Sequence, residues 1–341
     1  KINHIDLMII SKAVNIGYLI GNNHISPFER EVFIVIDKQE AVLLVSPLKS
    51  ELFDSLKEAY KVKIYSQKVN LASIVNEVGS RHSKIGFESQ DLSFYEWAEL
   101  TKKIEGKLVA TTTLVEKLRM IKDVKEIESI SEACRITRQT WEDISPLIKP
   151  GMSEKEVSKL LVERQLTLGA DGVPQGFEPI VASGIDSAVP HHETGNRIIK
   201  VNEPVLVDFG CVKNGYCSDF TRTIFLGIKN NHYSEVEKVV ELAYERAMEE
   251  FSRSKLPQKV DAEARTLIQN KGYGEMIHTT GHGLGLEIHE APSISQRSSF
   301  EGPLKPGMVV TIEPGIYIAG KFGVRYENTV LVKEDGIEVL T

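Results

Sequence analysis

Residues 205–227 read VLVDFGCVKNGYCSDFTRTIFLG and contain two apolar, β-rich runs around Asn214-Gly215. Asn-Gly is the dipeptide preferred in two-residue type I′ hairpin turns. If the turn forms there, Asp208 faces Thr221 across the hairpin, and Asp219 is its diagonal neighbour on the same face. The two carboxylates would then lie roughly 5 to 8 Å apart. The segment therefore predicts a hairpin that aims two acidic side chains in one direction, a geometry that a one-residue slip would destroy.

A simpler interpretation puts Asp208 and Asp219 in loops, where their carboxylates would cap backbone groups. Asp208, however, stands between Val207 and Phe209, and an unpaired charge inside such an apolar strand is costly. We therefore expect both carboxylates to point the same way from apolar strands and to be neutralised by a partner.

A second pair of acidic residues lies in a second predicted hairpin. Residues 308–318, MVVTIEPGIYI, and residues 323–332, GVRYENTVLV, flank a short connection that contains Gly320. Glu313 and Glu327 are equally far from Gly320, so an odd-length loop puts them opposite each other on one face. Four buried like charges repel unless positive charge lies between them. Divalent metal is the natural candidate.

Residues 278–292, HTTGHGLGLEIHEAP, supply His278, His282 and His289 among several glycines. Glycine lets the backbone approach a ligand closely, and His282 stands between two glycines. One imidazole with four carboxylates suits Mn²⁺, Co²⁺, Fe²⁺ or Zn²⁺ better than thiophilic ions. A lone histidine is usually structural, but three in so short a segment favour a functional site.

The composition is that of an ordinary globular protein large enough for two domains. The chain has 341 residues, 41% of them hydrophobic, and its 41 Lys and Arg against 48 Asp and Glu give a formal charge of −7. These proportions exclude a disordered, collagen-like or disulfide-scaffold chain. Without a basic block, the charge predicts neither nucleic acid nor membrane as a partner and favours small substrates.

The three cysteines, Cys134, Cys211 and Cys217, are odd in number and fit no zinc-site spacing. We expect them to be small core residues in a reducing compartment. No apolar run approaches the length of a membrane span, and the first residues alternate polar and apolar, unlike a signal peptide. The sequence therefore predicts a cytoplasmic location. Residue 1 is Lys, so native residues can precede this numbering.

The pattern predicts two domains, residues 1–113 and residues 114–341. In the first, short aliphatic runs alternate with helical stretches, as in an α/β domain. Its isolated histidines are interpreted as structural: His4, His24 and His82. In the second domain the predicted order is two helices and a β-rich block, twice. The four helices are expected to start at Asp123, Ser153, Ser234 and Asp261, the first three with glutamate in capping-box position.

These motifs resemble those of the proline-specific metallopeptidases of the pita-bread fold, aminopeptidase P and prolidase. The resemblance covers nearly the whole chain. It implies a creatinase-like α/β N-terminal domain followed by an α+β pita-bread catalytic domain. All five metal-ligand positions of that family are matched, by Asp208 in VDFG, Asp219 in SDFTR, His282 in TGHGLG, Glu313 in IEPGIY and Glu327 in VRYEN.

The resemblance implies two divalent ions per chain. Mn²⁺ and Co²⁺ are the first candidates, and Zn²⁺ and Fe²⁺ are also compatible with the donors. Asp208 would bind one ion, and His282 with Glu313 the other. Asp219 and Glu327 would bridge both ions. Creatinase shares the fold but lacks this ligand set, and methionine aminopeptidases generally lack the N-terminal domain.

Other positions of the family are matched outside the ligand set. His191, in AVPHHETGN, corresponds to a histidine that lines the substrate pocket, and its neighbour His192 is the less favoured candidate for that role. His289 corresponds to the histidine beside the scissile carbonyl. Around the site the resemblance adds His278, Tyr317 and Arg325.

The predicted activity is hydrolysis of the peptide bond between an N-terminal residue and proline, by a hydroxide that bridges the two ions. Glu313 would carry the proton to the proline nitrogen and His289 would stabilise the oxyanion, with His191 as one wall of the proline pocket. Substrates would be proline-containing dipeptides or short peptides, and the family commonly forms homodimers.

The sequence leaves three questions of function open. It does not separate a dipeptidase from an aminopeptidase that acts on longer chains. A hydrolase of the same fold could act on another dipeptide or amide. A catalytically inactive pita-bread binding protein is the third alternative, although such proteins usually lose metal ligands.

Overall fold

The computed structural model describes residues 5–21, 25–79 and 84–341, and the chain divides into two compact units, residues 1–118 and 119–341. His4, His24 and His82 lie outside the described residues. The sequence puts the boundary after residue 113, whereas the structural division falls after Leu118. Leu114 and Val115 account for the difference, because both pack into the core of the first unit.

The described part of the first unit contains one mixed six-stranded sheet in the order β4-β3-β2-β1-β5-β6. Its strands are Leu7–Ile10 (β1), Val32–Ile36 (β2), Ala41–Val45 (β3), Lys61–Ile64 (β4), Lys84–Glu88 (β5) and Lys107–Thr111 (β6). Its helices are Ala13–Ile20 (α1), Leu71–Gly79 (α2), Phe94–Lys103 (α3) and Leu114–Arg119 (α4), with a 3₁₀ helix at Pro47–Leu56. The sequence pattern predicts five strands, which correspond to β1 to β5, and helical segments over residues 50–59 and 95–104. The second segment corresponds to α3, whereas the first is the 3₁₀ helix, which begins at Pro47. The pattern gives no prediction of α1, α2 or β6.

Both faces of this sheet are buried, as the uninterrupted apolar run of β1 requires. Leu7 and Ile9 belong to one core cluster, which includes the apolar face of α2. Met8 and Ile10 point the other way and belong to a second cluster, which includes residues of α1. The alternation follows from the two-residue period of a strand.

The second unit contains two long helix pairs and several antiparallel sheets. Its helices are Val124–Ile144 (α5), Glu154–Thr167 (α6), Asn231–Ser254 (α7) and Pro257–Asn270 (α8), with 3₁₀ helices at Ser145–Leu147 and Gly184–Ala188. Its first strands are Ile180–Ser183 (β7), Glu203–Phe209 (β8), Val212–Lys213 (β9), Tyr216–Cys217 (β10) and Phe220–Leu226 (β11). The later strands are Gly281–Gly283 (β12), Glu290–Ile294 (β13), Val309–Ile312 (β14), Gly315–Ile318 (β15), Phe322–Arg325 (β16), Asn328–Lys333 (β17) and Gly336–Val339 (β18).

The first hairpin has the predicted turn and register. Asn214 and Gly215 have φ of 51° and 82°, as a type I′ turn requires. Thr221 pairs with Asp208 in the antiparallel ladder of β8 and β11. That ladder is continued on one side by β7, in the order β11-β8-β7. The predicted turn and strand register of residues 205–227 are confirmed.

The second hairpin also keeps its predicted register but is interrupted at the glutamates. Gly315 pairs with Arg325, and Ile312 pairs with Asn328. Between these two ladders Glu313 and Glu327 leave the strand pairing. The inner ladder, β15 with β16, is a separate two-stranded sheet, while β14 and β17 join the five-stranded sheet β13-β12-β14-β17-β18.

Two of the four predicted helix starts in this unit are wrong. The capping boxes at Asp123 and Ser153 are both formed. Helix α7, however, begins at Asn231, because Asn230 accepts the backbone N–H of Tyr233 and caps it earlier than the predicted Ser234. Asp261 lies inside α8, which begins at Pro257, a residue suited to the first helical turn.

Candidate metal centre

Three elements of the second unit bring the predicted ligands together. At the interruption of the second hairpin, the backbone N–H of Glu313 donates to Thr280 O at 2.8 Å, next to β12. The N–H of Glu327 donates to Thr221 O at 3.1 Å, in β11. Glu313 and Glu327 therefore do not pair with each other. Glu313 bonds the second hairpin to the histidine segment, and Glu327 bonds it to the first hairpin.

The glycines of β12 are required by close packing of its backbone. A Cβ on Gly281 would lie 1.9 Å from Thr311 O, and a Cβ on Gly283 would lie 2.3 Å from Ala291 O. Neither distance is compatible with a side chain. The strand can therefore lie between its neighbours only with glycine at both positions, and His282 is held between them.

Four of the five predicted ligands have side chains close to one another, and the fifth, Asp208, lines the same cavity. Ligand atoms of Asp219, His282 and Glu327 all lie within 4.8 Å of one another. His282 Nε2 is 3.5 Å from Asp219 Oδ2 and 3.6 Å from Glu313 Oε1. Asp208, Asp219 and Glu327 are buried, and Glu313 is half-buried. The arrangement brings the two hairpins and the histidine segment to one point.

His282 is neutral and offers a lone pair to the centre. Burial, followed by the neighbouring His289, lowers the pKa of His282 to about 3. Its Nδ1 is 3.0 Å from Gly283 O. A carbonyl oxygen can only accept, so Nδ1 carries the proton and Nε2 keeps its lone pair. Nε2 is the atom that faces the carboxylates.

The carboxylates are strongly perturbed when no cation neutralises them. Burial, followed by the charge of Glu327, raises the pKa of Asp219 well above its usual value. Burial and the charge of Glu313 do the same to the pKa of Glu327. The pKa of Glu313 rises to about 8, chiefly through burial. Such a cluster is stabilised by positive charge.

Two orphaned oxygens indicate where that positive charge fits. Oδ1 of Asp208 and Oδ1 of Asp219 are buried and have no hydrogen-bond partner among the described residues. A buried carboxylate oxygen without a donor is costly. Divalent cations that prefer oxygen with some nitrogen match four carboxylates and one imidazole. The residues present therefore fit a divalent metal centre.

Arg325, Tyr317 and His278 form a hydrogen-bonded chain beside the carboxylates. Arg325 donates from Nη2 to Asp208 and from Nη1 to the Tyr317 hydroxyl at 2.8 Å. The hydroxyl lies 3.0 Å from Nε2 of His278, whose Nδ1 is 2.7 Å from Thr279 O. Burial, followed by Arg325, lowers the pKa of His278 to about 4. His278 is therefore neutral and accepts from Tyr317.

A cavity of about 730 Å³ opens onto this centre. It is lined by ten of the eleven predicted site residues: His191, His192, Asp208, Asp219, His278, His282, His289, Glu313, Arg325 and Glu327. Tyr317 is the exception and contacts the cavity wall through Arg325 and His278.

The histidines outside the ligand set take different positions on the cavity wall. The His289 ring packs edge-on against His282, with centroids 4.4 Å apart. Burial, followed by the neighbouring His191, lowers the pKa of His289. His191 is exposed. His192 is turned to Glu154, with Nε2 at 2.9 Å from Oε2.

Sequence reasoning missed two residues that hydrogen-bond to predicted site residues, Thr221 and Glu154. Thr221 donates its hydroxyl to Glu327 Oε2 at 2.5 Å and accepts from Arg325 Nε at 3.1 Å. The register places Thr221 opposite Asp208, which is the signal that could have identified it. Glu154 is fully buried, but in the sequence it is one of several glutamates at a helix start and carries no distinguishing signal.

A cavity whose wall carries four carboxylates and a neutral imidazole with a free lone pair is typical of metal-dependent hydrolases. The profile of metallopeptidase family M24 matches residues 128–334, and that of the creatinase/prolidase N-terminal domain matches residues 1–121. The chain belongs to metallopeptidase family M24. The predictions of a creatinase-like N-terminal domain, a pita-bread catalytic domain and a metallopeptidase are confirmed.

Similar proteins match over almost the full chain. The Xaa-Pro dipeptidase of Pyrococcus furiosus is 36% identical, over 99% of this chain and 94% of that protein. The solved structure of an Xaa-Pro dipeptidase from Bacillus anthracis has a TM-score of 0.91 at 35% identity, covering 99% of this chain and 93% of that one. The structure of an X-Pro aminopeptidase from Thermotoga maritima has a TM-score of 0.83 at 31% identity, covering 99% and 94%.

Proposed function

We propose that the chain hydrolyses the peptide bond between an N-terminal residue and proline. The observation that carries the proposal is the convergence of four carboxylates and the free Nε2 of His282 at the cavity, with two buried carboxylate oxygens that lack donors. Full-length similarity to proteins named Xaa-Pro dipeptidase supports the choice of substrate. Dipeptides and short peptides with proline at the second position are the proposed substrates.

Five side chains would hold two divalent ions: Asp208, Asp219, His282, Glu313 and Glu327. When bound, such ions supply an activated water and a Lewis acid for the scissile carbonyl. Mn²⁺ and Co²⁺ are the proposed ions, as the family resemblance implies, and the donor set of hard oxygens with a single nitrogen also accepts Zn²⁺ and Fe²⁺.

The remaining chemistry belongs to side chains on the cavity wall. Glu313 is the group proposed to take a proton from the nucleophile and return it to the proline nitrogen, which needs one as it leaves. His289 is proposed to donate a hydrogen bond to the developing oxyanion. His191 is proposed to form one wall for the proline ring, which carries no N–H and so needs no acceptor.

The proposed function is tested with three peptides that differ in one feature each. Ala-Pro, Ala-Pro-Ala and Ala-Ala are offered to chelator-stripped protein, with and without added Mn²⁺ or Co²⁺. Metal-dependent cleavage of Ala-Pro but not Ala-Ala is expected. Cleavage of Ala-Pro-Ala as well would identify an aminopeptidase, and its absence a dipeptidase. Metal-restored cleavage of Ala-Ala alone would favour another dipeptide substrate, and cleavage of none a binding protein.

Two further expectations accompany this function and stay predictions. The family resemblance favours a homodimer, which sedimentation of the metal-loaded protein would test. The three buried, unbridged cysteines favour a reducing compartment. Among the described residues no helix combines the length and the apolar composition needed to cross a bilayer.

A further inference from the structure

The segment that carries His191 is anchored on both sides by buried charged groups. On one side Arg325 Nη1 donates to Pro190 O at 3.4 Å. On the other side His192 Nε2 is 2.9 Å from Glu154 Oε2. His191 is the residue between the two anchors. All three residues line the cavity, and His191 is the most exposed of them.

Glu154 connects three parts of the second unit through one carboxylate. It is the first residue of α6 and has no exposed surface. Its Oε1 accepts the N–H of Ser183 at 2.7 Å and the Ser183 hydroxyl at 2.8 Å, at the end of β7. Its Oε2 accepts from His192 and from the N–H of Gly195 at 3.3 Å. The start of α6, the end of β7 and the histidine segment therefore meet at Glu154.

The four hydrogen bonds also determine which ring nitrogen of His192 carries a proton. The Glu154 carboxylate accepts the other three hydrogen bonds and has no proton to donate in the fourth. His192 is therefore the donor, and its Nε2 carries the proton. Replacing the carboxylate with an amide of the same shape would turn an acceptor into a donor there. The amide could still accept from Ser183, but it would face the Nε2–H of His192 with a second donor.

A cation site at Glu154 is a weaker interpretation of the same cluster. Ligand atoms of Glu154, Asp186 and His192 lie within 4.8 Å of one another. Both oxygens of Glu154, however, already accept two bonds each from protein donors. The guanidinium of Arg197 also lies 3.5 Å from Asp186. The protein itself therefore supplies the hydrogen-bond donors to Glu154 and the positive charge beside Asp186.

We propose that Glu154 is a positioning residue for substrate binding: by holding His192, it fixes the orientation in which His191 faces the cavity. This inference rests on the proposed function, because His191 is taken there as a wall of the proline pocket. Glu154 lies outside the cavity lining, so its effect is expected on substrate affinity and not on the metal centre.

The test is a double-mutant cycle of Glu154→Gln and His191→Ala in the metal-loaded protein. Alone, Glu154→Gln is expected to raise the KM for Ala-Pro by about tenfold, with kcat changed less than about threefold and bound metal unchanged. In the His191→Ala background the same substitution is expected to leave KM unaltered. An equal rise of KM in both backgrounds, or no rise in either, would overturn the proposal.

Glu156→Gln is the matched control. Glu156 lies on the same turn of α6, and its carboxylate only closes the capping box with Ser153. Glutamine can serve in such a box, so KM is expected to stay constant. Glu154→Asp keeps the charge with a shorter reach and is expected to recover part of the lost affinity, which a purely structural role would not require.

A second measurement keeps the inference testable if Ala-Pro is not a substrate. In the Zn²⁺-loaded, ¹⁵N-histidine-labelled protein, the His191 resonances are identified by their loss in His191→Ala. Glu154→Gln is expected to shift them and to shift the Nε2–H signal of His192. Unshifted His191 resonances in Glu154→Gln would refute the positioning role, whereas failure to hydrolyse any Xaa-Pro peptide would refute only the proposed function.

Discussion

At the scale of single residues, the ability of a histidine to bind a metal depends on which of its ring nitrogens lacks a proton. His282 can serve as a ligand because its Nδ1–H is given to Gly283 O and its pKa is lowered to about 3. His278 has the same backbone arrangement, but its Nε2 is taken by the hydroxyl of Tyr317. The two histidines are four residues apart, yet only His282 keeps a lone pair for the centre.

Asp219→Asn tests the ligand assignment with a nearly isosteric change. The amide removes the negative charge at a buried position of the cluster. We expect hydrolysis of Ala-Pro to fall by more than the roughly 100-fold typical of a residue that only supports a metal ligand. Bound metal, measured by plasma emission after gel filtration, is expected to fall below two ions per chain.

Asp171→Asn is the control, because Asp171 pairs with Lys213 outside the cavity. It is expected to keep both hydrolysis and bound metal. Retention of both by Asp219→Asn as well would show that Asp219 is not a ligand.

His289→Ala tests a residue that contacts the centre without belonging to the ligand set. Because its ring packs against His282 on the cavity wall, its loss is expected to remove stabilisation of the oxyanion. We expect kcat to fall by roughly 100-fold, with bound metal unchanged. A kcat equal to that of the unaltered protein would remove His289 from the mechanism.

At the scale of elements, the hairpin register was predictable and the helix starts were less so. Asn214-Gly215 defines one turn geometry, so local sequence determines the position of Asp208. The start of α7 differs from the prediction because Asn and Ser are both good capping residues, and Asn230 is the one that accepts the N–H of Tyr233. Glu154 could not be identified because its partners, Ser183 and Gly195, are distant in sequence.

A second buried charge cluster fixes the segment that contains His289. Arg119 pairs with Glu287 at 2.8 Å and with Glu290, and Lys122 lies 3.4 Å from Glu290. Burial alone would raise the pKa of Glu290, but Lys122 and Arg119 outweigh it and lower that pKa. The cluster joins the segment before α5 to the start of β13, one residue after His289.

Arg119→Met is therefore expected to destabilise the protein. The change leaves the buried carboxylate of Glu290 with less positive charge, at a cost of about 3 kcal/mol in the free energy of unfolding. Arg135→Met removes an exposed pair with Glu132 and is expected to cost less than about 1 kcal/mol. Denaturant unfolding of the metal-loaded proteins measures both. Equal stability of the two variants would contradict a stabilising role for the buried cluster.

At the scale of the whole molecule, the proposed metal centre joins elements that are far apart in sequence. The proposed ligands come from β8, from the residue before β11, from β12 and from the interruption between β14 and β17. Without cations, the same arrangement places four mutually repelling carboxylates around one cavity. The symmetry of each hairpin about its turn predicts the two pairs of acidic residues. It does not predict the backbone hydrogen bonds from Glu313 to Thr280 and from Glu327 to Thr221, which join separate hairpins and segments.

The stability of the metal-free protein is expected to fall as pH rises from 6.5 to 8.5. Asp219, Glu327 and Glu313 have raised pKa values, that of Glu313 to about 8. A raised acid pKa means that the folded state holds protons that the unfolded state has already lost, so stability decreases with pH. The lowered histidine pKa values act below this window, where stability is lost as pH falls. Calorimetric melting of stripped protein measures the slope.

Mn²⁺ is expected to abolish that slope, because bound cations replace the protons on the carboxylates. Glu313→Gln is expected to reduce the slope of the metal-free protein, since one of the three groups is removed. A melting temperature that rises with pH in the stripped protein would contradict the mutual repulsion of the carboxylates.

The most direct measurement is a titration of Mn²⁺ into stripped protein, with bound metal and Ala-Pro hydrolysis followed in the same samples. Hydrolysis is expected to be absent without metal and to reach its maximum at two bound ions per chain. Full hydrolysis in the metal-free sample, or two bound ions without any hydrolysis of Ala-Pro, would contradict a dinuclear Xaa-Pro peptidase.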